Sequence, residues 1–234
     1  MKRESLINTL IDKLGGKFSS SLGIDVSSQR SEEIFKWFLA SIFFGARISE
    51  TIAVRTYKEF EKDGVIFVDK ILVTGWDGLV SILDRGGYVR YDFKTATKLL
   101  EIMGNLKDNY RGDLNLLHKL SSDSKDLEKR IQNLGKGIGK VTTGIFLREL
   151  RGVWEKADPP LTPLVFTSAK NLGLVKNEGS ALKELKFVWE QSKIKKGDFV
   201  NFEAALLRLG RDFCRKRKCK TCLVKKYCIN PLDT

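Results

Sequence analysis

Apolar residues recur at intervals of three and four along almost the whole chain, the spacing that places side chains on one face of an α-helix. The pattern is clear at 34–42, 99–103 and 199–213. No alternating Val/Ile-rich segment is long enough for a central strand, and the closest one, at 64–69, leads into 70–83, which we expect to continue as short helices. The sequence therefore predicts an all-α protein of about ten to twelve short helices.

Composition and charge limit the compartment and the partners of this chain. At 234 residues and 42% hydrophobic, it is long enough to bury a core. It has no apolar run of about 18 residues, and 1–16 has the pattern of an amphipathic helix rather than a signal peptide. We therefore expect an intracellular protein (cytoplasm, nucleoid or nucleus) without a membrane partner. The net charge of +13 favours a polyanionic partner, because binding phosphates releases their counterions. A basic surface that meets only solvent is the alternative.

Four cysteines lie together near the C-terminus with the spacing C-x4-C-x2-C-x5-C. In a reducing compartment, such a group is better explained as metal ligands than as disulfides. Zinc modules usually combine two separate close pairs, whereas this loop has one CxxC, so the spacing favours a [4Fe-4S] cluster. A zinc-stabilised nucleic-acid module is the alternative. The proposed ligands are Cys214, Cys219, Cys222 and Cys228.

Basic residues surround these cysteines, since 211–226 contains eight Lys or Arg and one acid. Four thiolates around a [4Fe-4S]2+ core leave a net charge of about −2, which nearby cations stabilise. The loop carries more positive charge than this requires. We therefore expect it to bind phosphates as well.

A second motif is the glycine-rich turn in "LGKGIGKVTTGIFLREL" at 134–150. Gly135, Gly137 and Gly139 predict a tight turn between two helices, in which backbone N–H groups can approach an anion. An ordinary connection between helices is the competing interpretation. The basic residues around the turn favour phosphate binding: Lys136, Lys140, Arg148 and Arg151.

The GIGK-type hairpin followed by a four-cysteine loop resembles the helix-hairpin-helix DNA glycosylase superfamily, and within it the endonuclease III-like branch. The resemblance extends to 38–60, similar to an early helix pair of that family, and to 86–102, similar to its Gly-Tyr loop and following helix. It implies two helical lobes with a DNA-binding cleft between them. One lobe is a six-helix barrel at 27–154 with the hairpin near 134–142; the other combines 1–26 with 155–234 and carries the [4Fe-4S] cluster loop at 214–228.

Two departures from the family pattern bear on the chemistry. Four residues separate the first two cysteines, rather than the family's six, so the loop is shorter. Val141 stands where bifunctional members have the lysine that forms a Schiff base, and the adjacent Lys140 points about 100° away on a helix. The resemblance therefore implies a monofunctional enzyme.

Asp158, 17 residues after Val141, is the candidate catalytic residue. The resemblance places a catalytic aspartate at the start of the next helix, and Pro159 and Pro160 suit a first helical turn. A carboxylate there can stabilise the oxocarbenium-like sugar that forms as the N-glycosidic bond breaks, and can orient or activate water. The competing interpretation is that Asp158 only caps the helix.

The resemblance also implies residues that contact DNA. Arg47 stands where the family has a polar residue that fills the gap left by an extruded base, and 88–90 form a loop that can insert a side chain. The competing interpretations are a surface ion pair for Arg47 and a buried aromatic anchor for Tyr88. The predicted DNA contacts are Arg47, Tyr88, Arg90, Gly135, Lys136, Gly137, Gly139, Lys140, Arg217 and Lys218.

The remaining candidates are expected to be structural. His118, the only histidine, has no metal partner in the sequence. The four tryptophans have helical spacing and are expected in the core. They are Trp37, Trp76, Trp154 and Trp189.

Together these features predict a monomeric DNA repair glycosylase that acts on double-stranded DNA. It would extrude a damaged or mismatched base and hydrolyse its N-glycosidic bond with the help of Asp158. One alternative is a bifunctional glycosylase and abasic-site lyase that uses Lys140 or Lys94. Another is a noncatalytic lesion-binding protein.

Overall fold

The computed structural model describes residues 2–231, which fold into helices and the turns between them. This confirms the prediction of an all-α protein. Among the described residues, no helix is long and apolar enough to cross a membrane. The α-helices are α1 Lys2–Leu14, α2 Phe18–Ser21, α3 Ser31–Phe44, α4 Glu50–Lys62, α5 Val68–Gly86, α6 Asp92–Tyr110, α7 Leu114–Leu120, α8 Ser124–Gln132, α9 Lys140–Glu149, α10 Pro163–Asn171, α11 Ala181–Gln191 and α12 Phe199–Leu209.

Several helices begin at a side chain that accepts a hydrogen bond from a backbone N–H of the first turn. Ser49 accepts from Ile52 N at 3.2 Å before α4, and Asp198 accepts from Asn201 N at 2.8 Å before α12. α5 consists of two shorter helical stretches joined at Gly75, where φ is 67° and ψ is −178°, which agrees with the prediction that 70–83 continues as short helices.

The described residues form two compact units. We name 22–159, which contains α3 to α9, the hairpin unit. We name 2–21 together with 160–231, which contains α1, α2 and α10 to α12, the cysteine unit. The sequence predicts 27–154 for the first of these, so the hairpin unit extends further at both ends.

α3 is the central helix of the hairpin unit, where it packs against α4, α7 and α9. The other helices pack in chain order, from α4 on α5 to α8 on α9. Trp37, Phe38 and Phe146 are fully buried, and the rings of Phe38 and Phe146 meet edge-on at 5.2 Å between centroids. Trp37 Nε1 donates to Phe146 O at 3.1 Å, so the one polar atom of the indole is satisfied within the core.

The cysteine unit is built around α12, which packs against α1, α10 and α11. Phe202, Leu206 and Leu209 bury one face of α12, as their spacing predicts. The chain then continues into a π-helical turn, Gly210–Cys214, which ends at the first cysteine. The position of the cysteine loop therefore follows from the packing of α12.

Three of the four tryptophans are buried or partly buried, as predicted, and one is exposed. Trp37 and Trp154 are 0% and 3% exposed, and the partly buried Trp189 stacks on Phe202 with 5.7 Å between ring centroids. Trp76 is 39% exposed, so the expectation is wrong for this residue.

His118 lies in α7 and stacks on Trp154, with 4.6 Å between ring centroids and the rings almost parallel. Its Nε2 is buried and has no hydrogen-bond partner within residues 2–231. Burial, and then the positive charge of Lys156, lower the pKa of His118 from its ordinary value of 6.5. His118 is thus packed as a neutral aromatic side chain.

We expect the lowered pKa of His118 to weaken the fold as the pH falls below 6.5. The unfolded chain takes up a proton near that pH while the folded chain resists it, so protons favour unfolding until the folded-state pKa is passed. Because this is the only histidine, one imidazole C–H resonance reports its midpoint in an NMR titration. His118→Phe keeps a ring on Trp154 and should lose less stability between about pH 7 and 5.5 than the wild type. A midpoint at or above 6.5 would contradict this account.

Candidate functional site

A cavity of about 340 Å³ in the hairpin unit is lined by three segments that the sequence analysis selected separately. Arg47 follows α3, Tyr88 lies between α5 and α6, and Gly137 is the middle glycine of the hairpin. The other polar lining comes from the first turns of α6 and the residue before it. We name this space the basic cavity, after the lining residues Arg47, Tyr88, Tyr91, Lys94, Lys98 and Gly137.

Three cations give the basic cavity its charge. Lys94 and Lys98 are four residues apart on α6, so one helical turn brings both to the same face, and Arg47 comes from the end of α3. Among the described residues, none of the three forms an ion pair, so the alternative of a surface ion pair for Arg47 is not realised. Like charges around one cavity repel one another, and a bound anion relieves that repulsion.

The glycine hairpin is attached to α6 by hydrogen bonds. Asn105 Nδ2 donates to Leu134 O at 2.9 Å, just before the first glycine. Lys136 N donates to Glu101 Oε1 at 3.3 Å, inside the turn. Both anchoring side chains come from the same helix, so α6 sets the position of the hairpin.

Two of the hairpin glycines also allow close approach to α6. A Cβ at Gly135 would lie 2.7 Å from Ile102 Cγ1, and one at Gly137 would lie 2.9 Å from Lys98 Nζ. Gly137 has a φ of +111°, which side chains other than glycine rarely adopt. The Lys98 side chain therefore crosses the turn over a residue that has to be glycine.

α9 begins directly after the hairpin. Gly139 is its N-cap and supplies no side-chain hydrogen bond to the first turn. Lys140 and Val141 are exposed, Val141 to 67%, whereas Thr142 and Thr143 are buried. Val141, which the resemblance aligns with a Schiff-base lysine, is thus an apolar side chain in solvent.

The loop between α5 and α6 divides its side chains between core and surface. Tyr88 is 4% exposed, its ring lies 6.2 Å from that of Phe43, and burial raises the pKa of its hydroxyl. Tyr88 is therefore the buried anchor, not a side chain free to enter the DNA stack. Val89 and Arg90 are exposed, and the Arg90 guanidinium lies 5.6 Å from the centre of the Tyr91 ring.

The four cysteines line a single cavity of about 150 Å³ in the cysteine unit, and all four are free thiols. Backbone hydrogen bonds shape the loop, from Cys222 N to Cys219 O at 3.2 Å and from Ile229 N to Asn171 O at 2.8 Å. We name this space the cysteine cavity, lined by Cys214, Cys219, Cys222, Cys228, Asn171 and Lys225.

Burial raises the pKa of the thiols of Cys214 and Cys222, and the neighbouring cysteines add to the rise. The Asn171 side chain opposes the rise at Cys214, and the backbone at Val224 opposes it at Cys222, each by a hydrogen bond to sulfur. A buried thiol ionises more readily when a cationic centre lies beside it, as in a thiolate-bound metal centre.

The donor set fits an iron–sulfur cluster. Soft sulfur ligands suit iron–sulfur clusters and zinc alike. In residues 2–231, no three His, Cys, Asp or Glu side chains are grouped closely enough to hold a single metal ion. The [4Fe-4S] assignment stays a prediction.

The basic residues of the cysteine loop are on its surface. Arg217 and Lys218 are exposed in the turn between the first two cysteines, and Arg217 has a φ of 53°. Asp212, the acid of this stretch, pairs with Arg211 at 2.8 Å. Arg217 and Lys218 stay the candidate phosphate contacts of the loop.

The structure corrects the local conformation of Asp158. This residue does not begin a helix, because α10 starts at Pro163 with Thr162 as its N-cap, and Asp158 lies in a segment without regular structure. A residue that precedes proline is disfavoured in the α conformation, which applies to both Asp158 and Pro159. The capping alternative is wrong for the same reason. Thr162 Oγ1 accepts from Val165 N at 3.4 Å, and Pro163 occupies the first helical position, where its missing N–H costs no hydrogen bond.

Asp158 is held by a buried arginine. Its carboxylate, 41% exposed, pairs with the guanidinium of Arg151, whose side chain is 5% exposed. Arg151 also donates to Pro159 O. Asp158 lines neither the basic cavity nor the cysteine cavity.

No family model matches this sequence, and no curated protein matches it either. The function of the site is therefore inferred from its residues and their geometry. Three of the named lining residues of the basic cavity, Tyr91, Lys94 and Lys98, are absent from the predicted DNA contacts, although Lys94 was considered as a nucleophile. The spacing of Lys94 and Lys98 indicates that they lie on one side of α6, since residues four apart share a helix face.

We expect Gly137→Ala to destabilise the hairpin unit by about 1–3 kcal/mol, because it places a side chain at a positive φ and against Lys98. Gly139→Ser is the matched control, since φ there is −98°, nothing lies within 4 Å of the added Cβ, and serine is a favourable N-cap. It should change stability by less than about 0.5 kcal/mol. Urea unfolding followed by circular dichroism measures both variants. Equal stabilities of the two variants would contradict the backbone strain expected at the positive φ of Gly137.

Proposed function

We propose that this chain is a DNA repair glycosylase of base excision repair, which extrudes a damaged or mismatched base from double-stranded DNA and hydrolyses its N-glycosidic bond. The observation that carries the proposal is the composition of the basic cavity. Arg47, the loop at Tyr88 and the hairpin at Gly137 are far apart in sequence and line one space. Lys94 and Lys98 add unpaired positive charge to it.

DNA binding follows from these groups. Phosphates bind to backbone N–H groups of the hairpin other than those of Lys136 and Ile138, which already donate to Glu101 and to Gly135 O. The exposed side chains of Lys136 and Lys140 lie beside them. Arg47 has no carboxylate partner in the described part of the chain and is available to enter the gap left by an extruded base. Exposure now favours Val89 and Arg90 over Tyr88 as the inserted loop residues. Contact of DNA with both units, across a cleft between two lobes, is part of the same proposal.

Asp158 supplies the carboxylate for the chemical step. As the base departs with the electron pair of the glycosidic bond, positive charge develops at the sugar C1′ and ring oxygen, and a nearby carboxylate stabilises it. The oxygen of a water molecule then bonds to C1′ and gives up a proton. Arg151 fixes the orientation of the carboxylate through their ion pair. The exposed Val141 in place of a Schiff-base lysine supports hydrolysis by water without strand cleavage.

A [4Fe-4S] cluster held by the four cysteines belongs to the same proposal. When bound, it supplies a structural centre of four thiolate bonds that fixes the path of the loop. The protein adds its own supports, because Val224 is buried in the core and the Tyr227 hydroxyl lies 2.7 Å from Ser5 Oγ. A loop fixed in this way presents Arg217 and Lys218 to phosphates.

Two observations favour other functions of the same scaffold. Asp158 lines neither cavity and is neutralised by Arg151, which favours a noncatalytic lesion-binding protein. Lys94 lines the basic cavity, which favours a bifunctional enzyme whose Lys94 Nζ attacks the sugar. Each makes a different prediction for the products.

The test uses end-labelled duplexes that carry uracil or thymine opposite guanine, an oxidised purine, an oxidised pyrimidine or an alkylated purine. We expect the wild type to break one of them only after hot alkali, which cleaves at abasic sites. Asp158→Asn should reduce this cleavage by about 100-fold or more, since it removes the stabilising charge. Asp126→Asn is the matched control, because Asp126 also pairs with an arginine, Arg130, at 2.8 Å. It should cleave like the wild type.

Other outcomes separate the alternatives. Breaks that form without alkali, together with borohydride trapping that is lost in Lys94→Gln, would establish the lyase. Tight binding of a lesion duplex without cleavage of any substrate would establish the noncatalytic function.

The cluster has its own test. Protein purified without oxygen should be brown, absorb at about 400 nm, and contain iron and acid-labile sulfide. Cys219→Ser should lose both colour and iron because it removes one ligand, whereas Thr221→Ala, in the same loop, should keep them. Stoichiometric zinc without iron in the purified protein would contradict the cluster and favour the zinc alternative.

A further inference from the structure

Two exposed aromatic side chains stand next to each other on the hairpin unit. Trp76 is 39% exposed and Phe93 is 60% exposed, with 5.1 Å between ring centroids and 42° between ring planes. Trp76 Nε1 donates to Thr97 Oγ1 at 3.1 Å, which fixes the orientation of the indole. Exposed aromatic rings that lie side by side are typical of a surface that binds a ligand or a partner molecule.

The same segment carries cations. Phe93 and Thr97 lie on one face of α6, and Lys94 and Lys98 lie on the adjacent face, because successive residues on a helix are rotated by about 100°. Lys94 and Lys98 line the basic cavity with Tyr91. Aromatic rings and unpaired cations therefore alternate along the first turns of α6 and the residues before it.

The carboxylates near this surface do not cancel its charge. Asp92 is only 9% exposed, and its carboxylate accepts a hydrogen bond from Phe93 N at 2.8 Å in the first turn of α6. Asp77 is exposed beside Trp76. Glu101 is exposed three residues after Lys98 on α6 and accepts from Lys136 N, so two exposed acids face the three cations Arg90, Lys94 and Lys98.

We propose that this surface, formed by Trp76, Tyr91, Phe93, Arg90, Lys94 and Lys98, binds unpaired nucleotides of single-stranded DNA. Bases stack on the exposed rings, and the lysines and the arginine bind the phosphates between them. Bases within a duplex have their faces covered by neighbouring bases, so the rings select unpaired nucleotides. The proposal goes beyond base excision and requires neither a lesion nor Asp158.

The test measures fluorescence anisotropy with a labelled thymidine oligomer of about 12 nucleotides and with a blunt duplex of the same length. Phe93→Ala should weaken binding of the oligomer by roughly 5- to 100-fold, the effect of losing one stacking ring. Binding of the blunt duplex should change by less than about twofold. Phe187→Ala is the matched control, because Phe187 is 59% exposed on α11, and it should bind both DNAs like the wild type.

The Phe93→Leu variant and the tryptophan emission test the stacking of bases independently of Phe93→Ala. Phe93→Leu retains an apolar side chain without a stacking face and should also weaken binding of the oligomer. Oligomer binding should quench tryptophan emission in the wild type and quench it less in Trp76→Phe. Three results would overturn the proposal: no binding of the oligomer by the wild type, equal binding by Phe93→Ala and wild type, or equal losses on oligomer and duplex. Cleavage of lesion duplexes is scored separately, so either proposal can fail alone.

Discussion

The packing of the glycine hairpin against α6 is the contact on which the candidate interface depends. Asn105 and Glu101 bind the hairpin backbone, and Lys98 crosses it at Gly137. The same helix carries Lys94 into the basic cavity and Phe93 to the surface beside Trp76. Because one rigid helix supports all of these groups, their relative positions follow from helical geometry rather than from the conformation of loops.

The residues of the two cavities differ from Asp158 in whether another side chain compensates their charge. Within residues 2–231, the cations of the basic cavity have no carboxylate partner, and burial raises the pKa of the thiols of Cys214 and Cys222 in the cysteine cavity. We expect the basic cavity to favour a bound anion and the cysteine cavity to favour a cationic centre. Asp158 is different, since Arg151 already compensates its charge. Its proposed catalytic role therefore depends on the exposed part of the carboxylate.

Much of the fold and part of the site could be predicted from the sequence. The helices were predictable from apolar spacing, and the resemblance to a glycosylase family selected Arg47, Tyr88 and Gly137, which line one cavity. The predicted helix start at Asp158 is wrong because Pro159 and Pro160 disfavour the α conformation of the residue before each of them, whereas Thr162 and Pro163 form the start of α10. Tyr88 proved to be buried and Trp76 exposed. Helical spacing predicts which residues lie on the same face of a helix. It does not predict whether another part of the protein buries that face.

The sequence by itself determined the properties that depend on neighbours within a turn or two: the helices, the glycine turn, and a loop with four cysteines and excess positive charge. Only the tertiary structure decided which of these local features meet. Lys98 over Gly137, Trp76 beside Phe93 and the ion pair of Arg151 with Asp158 all arise from the packing of whole segments. The physical reason is that burial and charge compensation belong to the packed state, in which residues distant in sequence replace water around each side chain.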